Sequence, residues 1–585
     1  MNLSSIDWII IVLFFVITLI IGIWASKKAS KSANDFFLSG REMPWWLLGV
    51  SMVATTFSAD TPNLVTDIVR NNGVAGNWVW WAFLLTGMTT VFIYAKLWRR
   101  SGISTDLEFY ELRYSGKAAG FLRGFRAIYL GVFFNVMIMA TVLLAGIKIA
   151  GIMLGINPIQ TVILVSLVTV VYSSLGGLRG VILTDFFQFI LSMVGMVLAA
   201  IYIIKMPSIG GLESLINHPV VASKKEFFPD FSDPNVAIPI FFIPIAVQWW
   251  SSWYPGAEPG GGGYVAQRML AAKNEKEATK ATLLFNIAHY ALRPWPWILI
   301  ALASLIIFPD LISIKNTFPS VSDDILAHDL AFPAMLTLLP KGLLGLVIAS
   351  LIAALMSTIS THLNWGASYL VNDFYVRFFN SSANEKKKVL VGRLGTFSLM
   401  VLAAIFALYL KNAFQAFNIL LQIGAGTGLL FLLRWFWWRI NAYSEIVAMI
   451  VSLIIAVYFE VIYSGDLQSY ERLIIGVGIT SIVWLLGTLI SRPTDITTLK
   501  EFYKKIRPHN QGWKPVIASF ENALPVSKKV SFSTELLMIF LSCALVYSAL
   551  FGVGYFMYGN TSLALICGVI LLSSTYSLMK LWSSK

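Results

Sequence analysis

Cysteine is nearly absent from this chain: Cys543 and Cys567 are the only two in 585 residues, and both lie in apolar runs near the end. That excludes a disulfide-built scaffold and a thiolate metal site, so both read as small core hydrophobes. Histidine is scarce too, and His218, His289, His328, His362 and His509 show no HExxH or other metal spacing. There is no G-x-S-x-G nucleophile elbow and no GxxxxGK[ST] phosphate loop, and the GGGG run follows no strand, so an enzyme is not indicated. His289 and His362 fall in apolar spans and read as packing residues. Charge is equally thin at 12%, and no long polar block separates the apolar runs, so no sizeable soluble domain is expected. The formal charge of +13 therefore implies no nucleic-acid partner, because no soluble domain is there to present a basic face.

What is present suits a bilayer: 57% hydrophobic residues and a mean hydropathy of +0.74. Counting apolar runs near twenty residues predicts an all-α polytopic membrane protein with about fifteen spans. Their limits are near 6–26, 45–69, 76–97, 127–153, 158–175, 180–204, 237–266, 280–308, 340–372, 387–410, 413–436, 443–464, 471–490, 533–557 and 559–582. The first span has a short polar lead and no cleavage pattern after it, and is read as retained. Basic residues mark alternate loops: Lys27, Lys28, Lys31 and Arg41; Arg99, Arg100, Arg113 and Arg123; Arg268, Lys273 and Lys276; Lys386, Lys387 and Lys388. That side is cytoplasmic by the positive-inside rule, which places the N-terminus outside and the C-terminus inside.

Two of these runs are interrupted. YPGAEPGGGG, Tyr254 to Gly263, puts two prolines, five glycines and Glu258 into an apolar segment, and SADTP sets Asp60 and Pro62 inside the run from Trp45 to Val69. Irregular backbone at membrane depth survives only against protein or a water-lined cavity, and paired interruptions five spans apart point to a secondary transporter's binding site. In the ninth span, spacings of three, four and seven put Ser357, Ser360, Thr361 and Asn364 on one helical face, beside Thr358. Such hydroxyls, with a carbonyl near Ala354, are the hard oxygens that a small alkali cation prefers; back-bonding and helix–helix glue are the plainer reading. Asp185, a turn or two into a span after GGLRG, needs a counter-charge, either a bound cation or a neighbouring arginine.

The chain resembles the sodium:solute symporter family, which includes sodium/glucose, sodium/proline and sodium/sialic acid transporters. The matching stretches are SANDFFLSGREMPWW, RRSGISTDLEFYELRY, YSSLGGLRGVILTDFFQ, YVAQRMLAAKNEKEA, MSTISTHLN and FWWRINAYSE, in order from about residue 34 to 445. The resemblance implies a LeuT-like core of inverted five-helix repeats, with the first and sixth core helices broken. The expected units are 1–44, a leading helix and cytoplasmic loop; 45–204 and 237–436, the two repeats; 205–236, an extracellular loop; 437–490, two accessory helices; 491–532, a cytoplasmic loop; and 533–585, a helical hairpin.

By the same resemblance, a first sodium site matches Ala54, Phe57, Ala354, Ser357 and Thr358. A second, found in some members, matches Thr56, Asp185, Ser357, Ser360 and Thr361. The implied function is sodium-coupled import of a small polar organic solute, a sugar, sugar acid or similar, by alternating access through a cell membrane. Na+ is the coupling ion and no organic cofactor is expected; the lipid bilayer is the other partner, and the protein is expected to be a monomer. One ion falling through about 100 mV gains about 2.3 kcal/mol and a tenfold gradient about 1.4, together enough for roughly 500-fold accumulation; two ions square that limit.

Polar candidates for the solute are Asp60, Thr61, Glu258, Arg293, Asn418 and Gln422, with Tyr264 at the position that closes the inner side in sugar members. Gly262 and Thr61 stand where sugar members have asparagine and glutamine, and GNWVWWAFLLTGM has no acid, so a different hydrogen-bond set is expected. Arg293 either clamps a carboxylate or neutralises Glu258 or Asp60. Lys148 is expected to snorkel from its span's outer end. The tryptophans at 78, 80, 81, 249, 250 and 253 either anchor at the membrane interface or fill the core, or stack on a sugar or another ring. Proton coupling through Asp185 and a transporter-like sensor are the rival readings. The chain's end at Lys585, directly after the last span, disfavours a kinase-fused sensor.

Overall fold

The computed structural model describes residues 3–29, 31–252, 258–319, 321, 323, 326–410, 424, 426–521 and 531–583. Among these the regular elements are all helical, and one isolated bridge joins Met43 to Ala272. The helices used below are α1 (Ser5–Ala29), α2 (Trp45–Thr56), α3 (Asp60–Asn72), α4 (Val74–Ser101), α5 (Gly116–Leu154), α6 (Pro158–Ile204), α7 (Pro234–Trp250), α8 (Gly263–Ala271), α9 (Glu275–Ile307), α10 (Leu343–Phe379), α11 (Glu385–Tyr409), α12 (Ala442–Ile462), α13 (Ser469–Ile490), α14 (Phe532–Met557) and α15 (Thr561–Ser583).

Eleven helices among the described residues are long and apolar enough to cross a membrane, beside about fifteen spans expected, two of them interrupted. The difference has local causes. The expected spans 158–175 and 180–204 share α6, whose helical backbone is interrupted at Gly177, with φ 51°. A side chain there would meet the Phe36 carbonyl at 2.6 Å, so glycine permits both the turn and the close approach. The expected spans 45–69 and 237–266 are each broken in two, and most of 413–436 lies outside the described residues.

Without a hydrophobic drive between helices in lipid, close approach of small residues decides who packs with whom. Gly22 of α1 lies so near α6 that an added Cβ would sit 2.7 Å from Tyr172 Cβ, and Gly195 of α6 would meet Ser350 Oγ of α10 at 2.5 Å. Ser192 donates to the Ser350 carbonyl at 2.9 Å, and Tyr172 to the Met356 carbonyl at 3.0 Å. α10 is thus wedged against α6 along its length, with buried residues almost throughout. Asp7 of α1 completes this frame: its carboxylate accepts from the backbone N–H of Gly342 at 2.7 Å and Gly345 at 2.8 Å, capping the start of α10 from another helix.

The C-terminal hairpin is held from the side. Glu535, fully buried at the start of α14, accepts from Lys96 and from His509 at 2.8 Å. Cys543 is buried and Cys567 half-buried, and neither is in a disulfide. Trp78 and Trp81 pack edge-on at 5.8 Å beneath Phe551 and Tyr547 and fill the core, whereas Trp80 stacks on Tyr290 at 5.9 Å and borders His289. Trp253 lies outside the described residues.

Candidate functional site

The first break is short. α2 ends at Thr56, Phe57 leaves the helix with φ −92° and ψ 73°, and α3 begins at Asp60. The Phe57 N–H turns back to the Val53 and Ala54 carbonyls, at 2.9 and 3.1 Å. Thr358 of α10 reaches across, its hydroxyl donating to the Thr55 carbonyl at 2.8 Å and to its own Ala354 carbonyl at 3.2 Å. Ala54, Phe57, Ala354, Ser357 and Thr358 are all buried where α2 meets α10.

One turn further along, the hydroxyl face of α10 closes on Asp185 of α6. Ser357 donates to Asp185 Oδ1 at 2.6 Å, and Ser51 of α2 to Oδ2 at 2.5 Å. The counter-charge is Arg268 of α8: its Nη2 is 3.7 Å from Asp185 and donates to Thr361 Oγ1 at 2.6 Å, while Nε donates to Ser51 at 3.2 Å. Thr55 and Thr361 share a hydrogen bond at 2.9 Å. The expected members Asp185, Ser357 and Thr361 are therefore brought together. Ser360 is a near neighbour whose hydroxyl is back-bonded to the Ser357 carbonyl at 3.0 Å.

Thr56 does not join them. Its hydroxyl accepts from Arg293 at 3.1 Å and meets His289 Nδ1 at 3.0 Å, on the opposite flank of α2. Adjacent helical residues differ by about 100° in direction, so Thr55 and Ser51, which share a face, occupy the place expected for Thr56. Asn364 also separates from the face, accepting from Gln267 at 2.9 Å.

The second break is long. α7 ends at Trp250 and α8 starts at Gly263, after Gly260 and Gly261 with φ 83° and 95°. Side chains from elsewhere hold the freed backbone: Trp98 donates to the Gly260 carbonyl at 2.8 Å, and Asp106 accepts from the Gly263 N–H at 2.9 Å. Burial pushes the Asp106 carboxyl up to about 6, although the Tyr369 hydroxyl, donating at 2.5 Å, works against this.

Between the breaks lies a cavity of about 80 Å³, lined by Thr56, Thr86, Thr90, Ser251, Glu258, Gly262, Tyr264, Asn286 and His289 among others. Glu258, Gly262 and Tyr264 line it. Asp60 and Thr61 do not line it; they start α3, where Thr61 donates to the Thr56 carbonyl at 3.4 Å. Arg293 touches it only through Thr56 and His289. The pairing of Arg293 with Glu258 is not found: Glu258 is bonded to Arg126 of α5. Lys148 bonds Asp329 at 3.2 Å in place of snorkelling. Asn418 and Gln422 lie outside the described residues. Arg126, Arg268, Ser51 and Thr55 went unread because each acts on a partner over 90 residues away.

A helical membrane protein with two interrupted helices around a hydroxyl notch and a small cavity is a solute carrier in architecture. The sodium:solute symporter family profile matches residues 36–452, and the chain belongs to that family. Family and relatives are transporters and not enzymes. A sodium/glucose cotransporter of Vibrio parahaemolyticus is 26% identical over 78% of this chain and 86% of its own length. A sodium/sialic acid symporter of Proteus mirabilis is 28% identical over 78% of this chain and 90% of its own. The solved substrate-bound, outward-open structure of a sodium-coupled sialic acid symporter, at 23% identity, superposes with a TM-score of 0.67 over 84% of this chain and all of that one, which establishes the fold.

Proposed function

We propose that the protein is a sodium-coupled symporter that imports a small polar organic solute across the cell membrane by alternating access, with its N-terminus outside and its C-terminus in the cytoplasm. The meeting of the α2 break with the hydroxyl face of α10 carries this reading, because Thr358 and the Thr55 carbonyl converge at 2.8 Å between two separate helices. A cation shared by those helices binds only while they are together, and such differential binding is what lets an ion shift a conformational equilibrium.

In this reading a first sodium ion takes carbonyl oxygens of Ala54, Phe57 and Ala354 and the hydroxyls of Ser357 and Thr358. A second takes Asp185, Ser357 and Thr361, with Ser360 beside them and Ser51 and Thr55 in the place assigned to Thr56. It shares Asp185 with Arg268. The solute sits in the cavity bordered by Glu258, Gly262 and Tyr264, with Arg293 behind it and Asp60 and Thr61 above the first break.

The test needs only the ion. Purified protein melted in NaCl and in KCl at equal ionic strength should be stabilised by sodium, and Ser357→Ala and Thr358→Ala should each weaken that stabilisation about tenfold in apparent sodium affinity. Equal melting in both salts, or unaltered sodium affinity in both variants, refutes the assignment. A shift that follows pH in place of sodium would support proton loading at Asp185.

A further inference from the structure

Glu258 stands in two places at once. One carboxylate oxygen, Oε1, is bonded to the guanidinium of Arg126, and both side chains are nearly fully buried. The other oxygen, Oε2, has no hydrogen-bond partner, although the residue is only 6% exposed and lines the cavity. A buried carboxylate oxygen without a donor is costly, so its persistence in a cavity wall implies a ligand donor.

The sequence has cleared room for that oxygen. A Cβ at Gly262 would sit 2.1 Å from Glu258 Oε2, so any side chain at 262 displaces the carboxylate. The glycine is not needed for its backbone, which is extended at φ −153° and ψ 175°. Across the cavity the same device recurs: a Cβ at Gly87 would sit 1.8 Å from Asn286 Oδ1. That oxygen also lacks a partner, while the amide nitrogen donates to the Thr282 carbonyl at 2.8 Å, which fixes which end faces the cavity. Two acceptors, each given space by a glycine, border one cavity.

Arg126 lies about 15 Å along α5 from its start at the basic loop, taking 1.5 Å per residue. It belongs to a buried cluster that ties the second break to its surroundings. Glu445 lies 3.8 Å from Arg126 and 3.4 Å from Arg434, Arg113 donates to the Arg434 carbonyl at 3.0 Å, and Asp106 holds the first N–H of α8. Two guanidiniums, Arg126 and Arg434, pair with two carboxylates, Glu258 and Glu445, so these ion pairs leave no excess charge to attract an ion. The ligand they suit is neutral.

We propose that Glu258 is both a latch and a receptor. Through Oε1 and Arg126 it closes the basic-loop side of the cavity, and through Oε2, together with Asn286, it receives two hydrogen-bond donors of a neutral, polyhydroxylated solute. A hydroxyl donating to Oε2 draws charge from the Arg126 bond and loosens the latch, so recognition and opening of that side run through one side chain. This rests on the symport reading for its purpose, but not for its geometry.

The latch is tested without any solute, by amide hydrogen exchange of the full-length protein over the segment 259–271, whose Gly263 N–H is bonded to Asp106. Arg126→Met and Glu258→Gln should each speed exchange there at least tenfold, and the double variant no more than either alone. Unchanged exchange in both single variants overturns the latch.

The receptor is tested by melting in NaCl with a panel of neutral hexoses, pentoses and cyclitols beside amino acids and short carboxylates. Stabilisation should come from polyhydroxylated probes alone, and should fall at least tenfold in apparent affinity in Gly262→Ala and Asn286→Leu. A panel in which no polyhydroxylated probe stabilises, or a probe held equally well by Gly262→Ala, overturns it. Because the extended backbone at 262 accommodates alanine, loss of folding does not confuse that variant. Sodium against potassium melting, with no solute, decides the symport reading separately. If sodium proves inert while the latch variants open the segment, symport falls and the latch stands.

Discussion

The two breaks solve the same problem in different ways. The first spans three residues, Phe57 to Ala59, and leaves most of its turn's hydrogen bonding to local backbone, with one hydroxyl arriving from α10. The second lies between Trp250 and Gly263, and there Glu258, Gly260 and Gly263 are held by Arg126, Trp98 and Asp106 from distant parts of the chain. In the proposed reading the short break serves the ion and the long one the solute, so substitutions should separate the two.

The largest effect is expected at Asp185. Replacing it by alanine leaves Arg268 buried and unpaired, a cost of about 3–5 kcal/mol, which a thermal unfolding series should register as a large loss of stability. Thr358→Ala, at the first break itself, should leave folding nearly intact and act on sodium dependence, which would sharpen the contrast between frame and ion.

Next comes a pair of neighbours in the second break. Gly261→Ala must hold φ 95° and place a Cβ 2.6 Å from Met269 Cε, for a cost of about 1–3 kcal/mol. Gly262→Ala should cost little stability and lose solute recognition instead; equal destabilisation by both would break the distinction drawn here.

Asp7→Ala removes the acceptor for two N–H groups at the start of α10, worth about 1–2 kcal/mol. Melting should detect it, along with a weakened sodium response, since α10 bears the hydroxyl face.

A further effect is that of pH at Asp106. Burial raises its carboxyl above the ordinary 3.8 to about 6, so the folded state holds the proton more tightly than the unfolded one. Its contribution to stability is complete below about pH 4 and is lost as pH rises through about 6. The melting difference between the protein and Asp106→Asn should shrink or reverse across that window and be flat above pH 7.

Both breaks, the hydroxyl face and Asp185 were legible because each is a local anomaly: proline, glycine or an acid in an apolar run. Helical spacing also gave the face of α10. It does not give the phase of α2 against its neighbours; Thr56, placed beside Asp185 by the resemblance alone, turns its hydroxyl to Arg293 and His289. Arg268 and Arg126 were unreadable for another reason. Both sit beside basic loops and look like topology signals, yet they are buried partners of acids more than 80 residues away in the chain. Eleven and fifteen differ where two helical stretches meet at the non-helical Gly177, where a broken helix supplies two short pieces, and where a run lies outside the described residues.

The Asp7 cap gives the first helix a duty that its position in the chain conceals. α1 stands apart from both interrupted helices, yet it terminates the helix that bears Ser357 and Thr358. Anyone trimming this carrier to a minimal engine would be tempted to discard that leading strut, and would thereby uncap the helix that bears the hydroxyl face. A protein shortened in this way should be designed with a replacement acceptor ahead of Leu343.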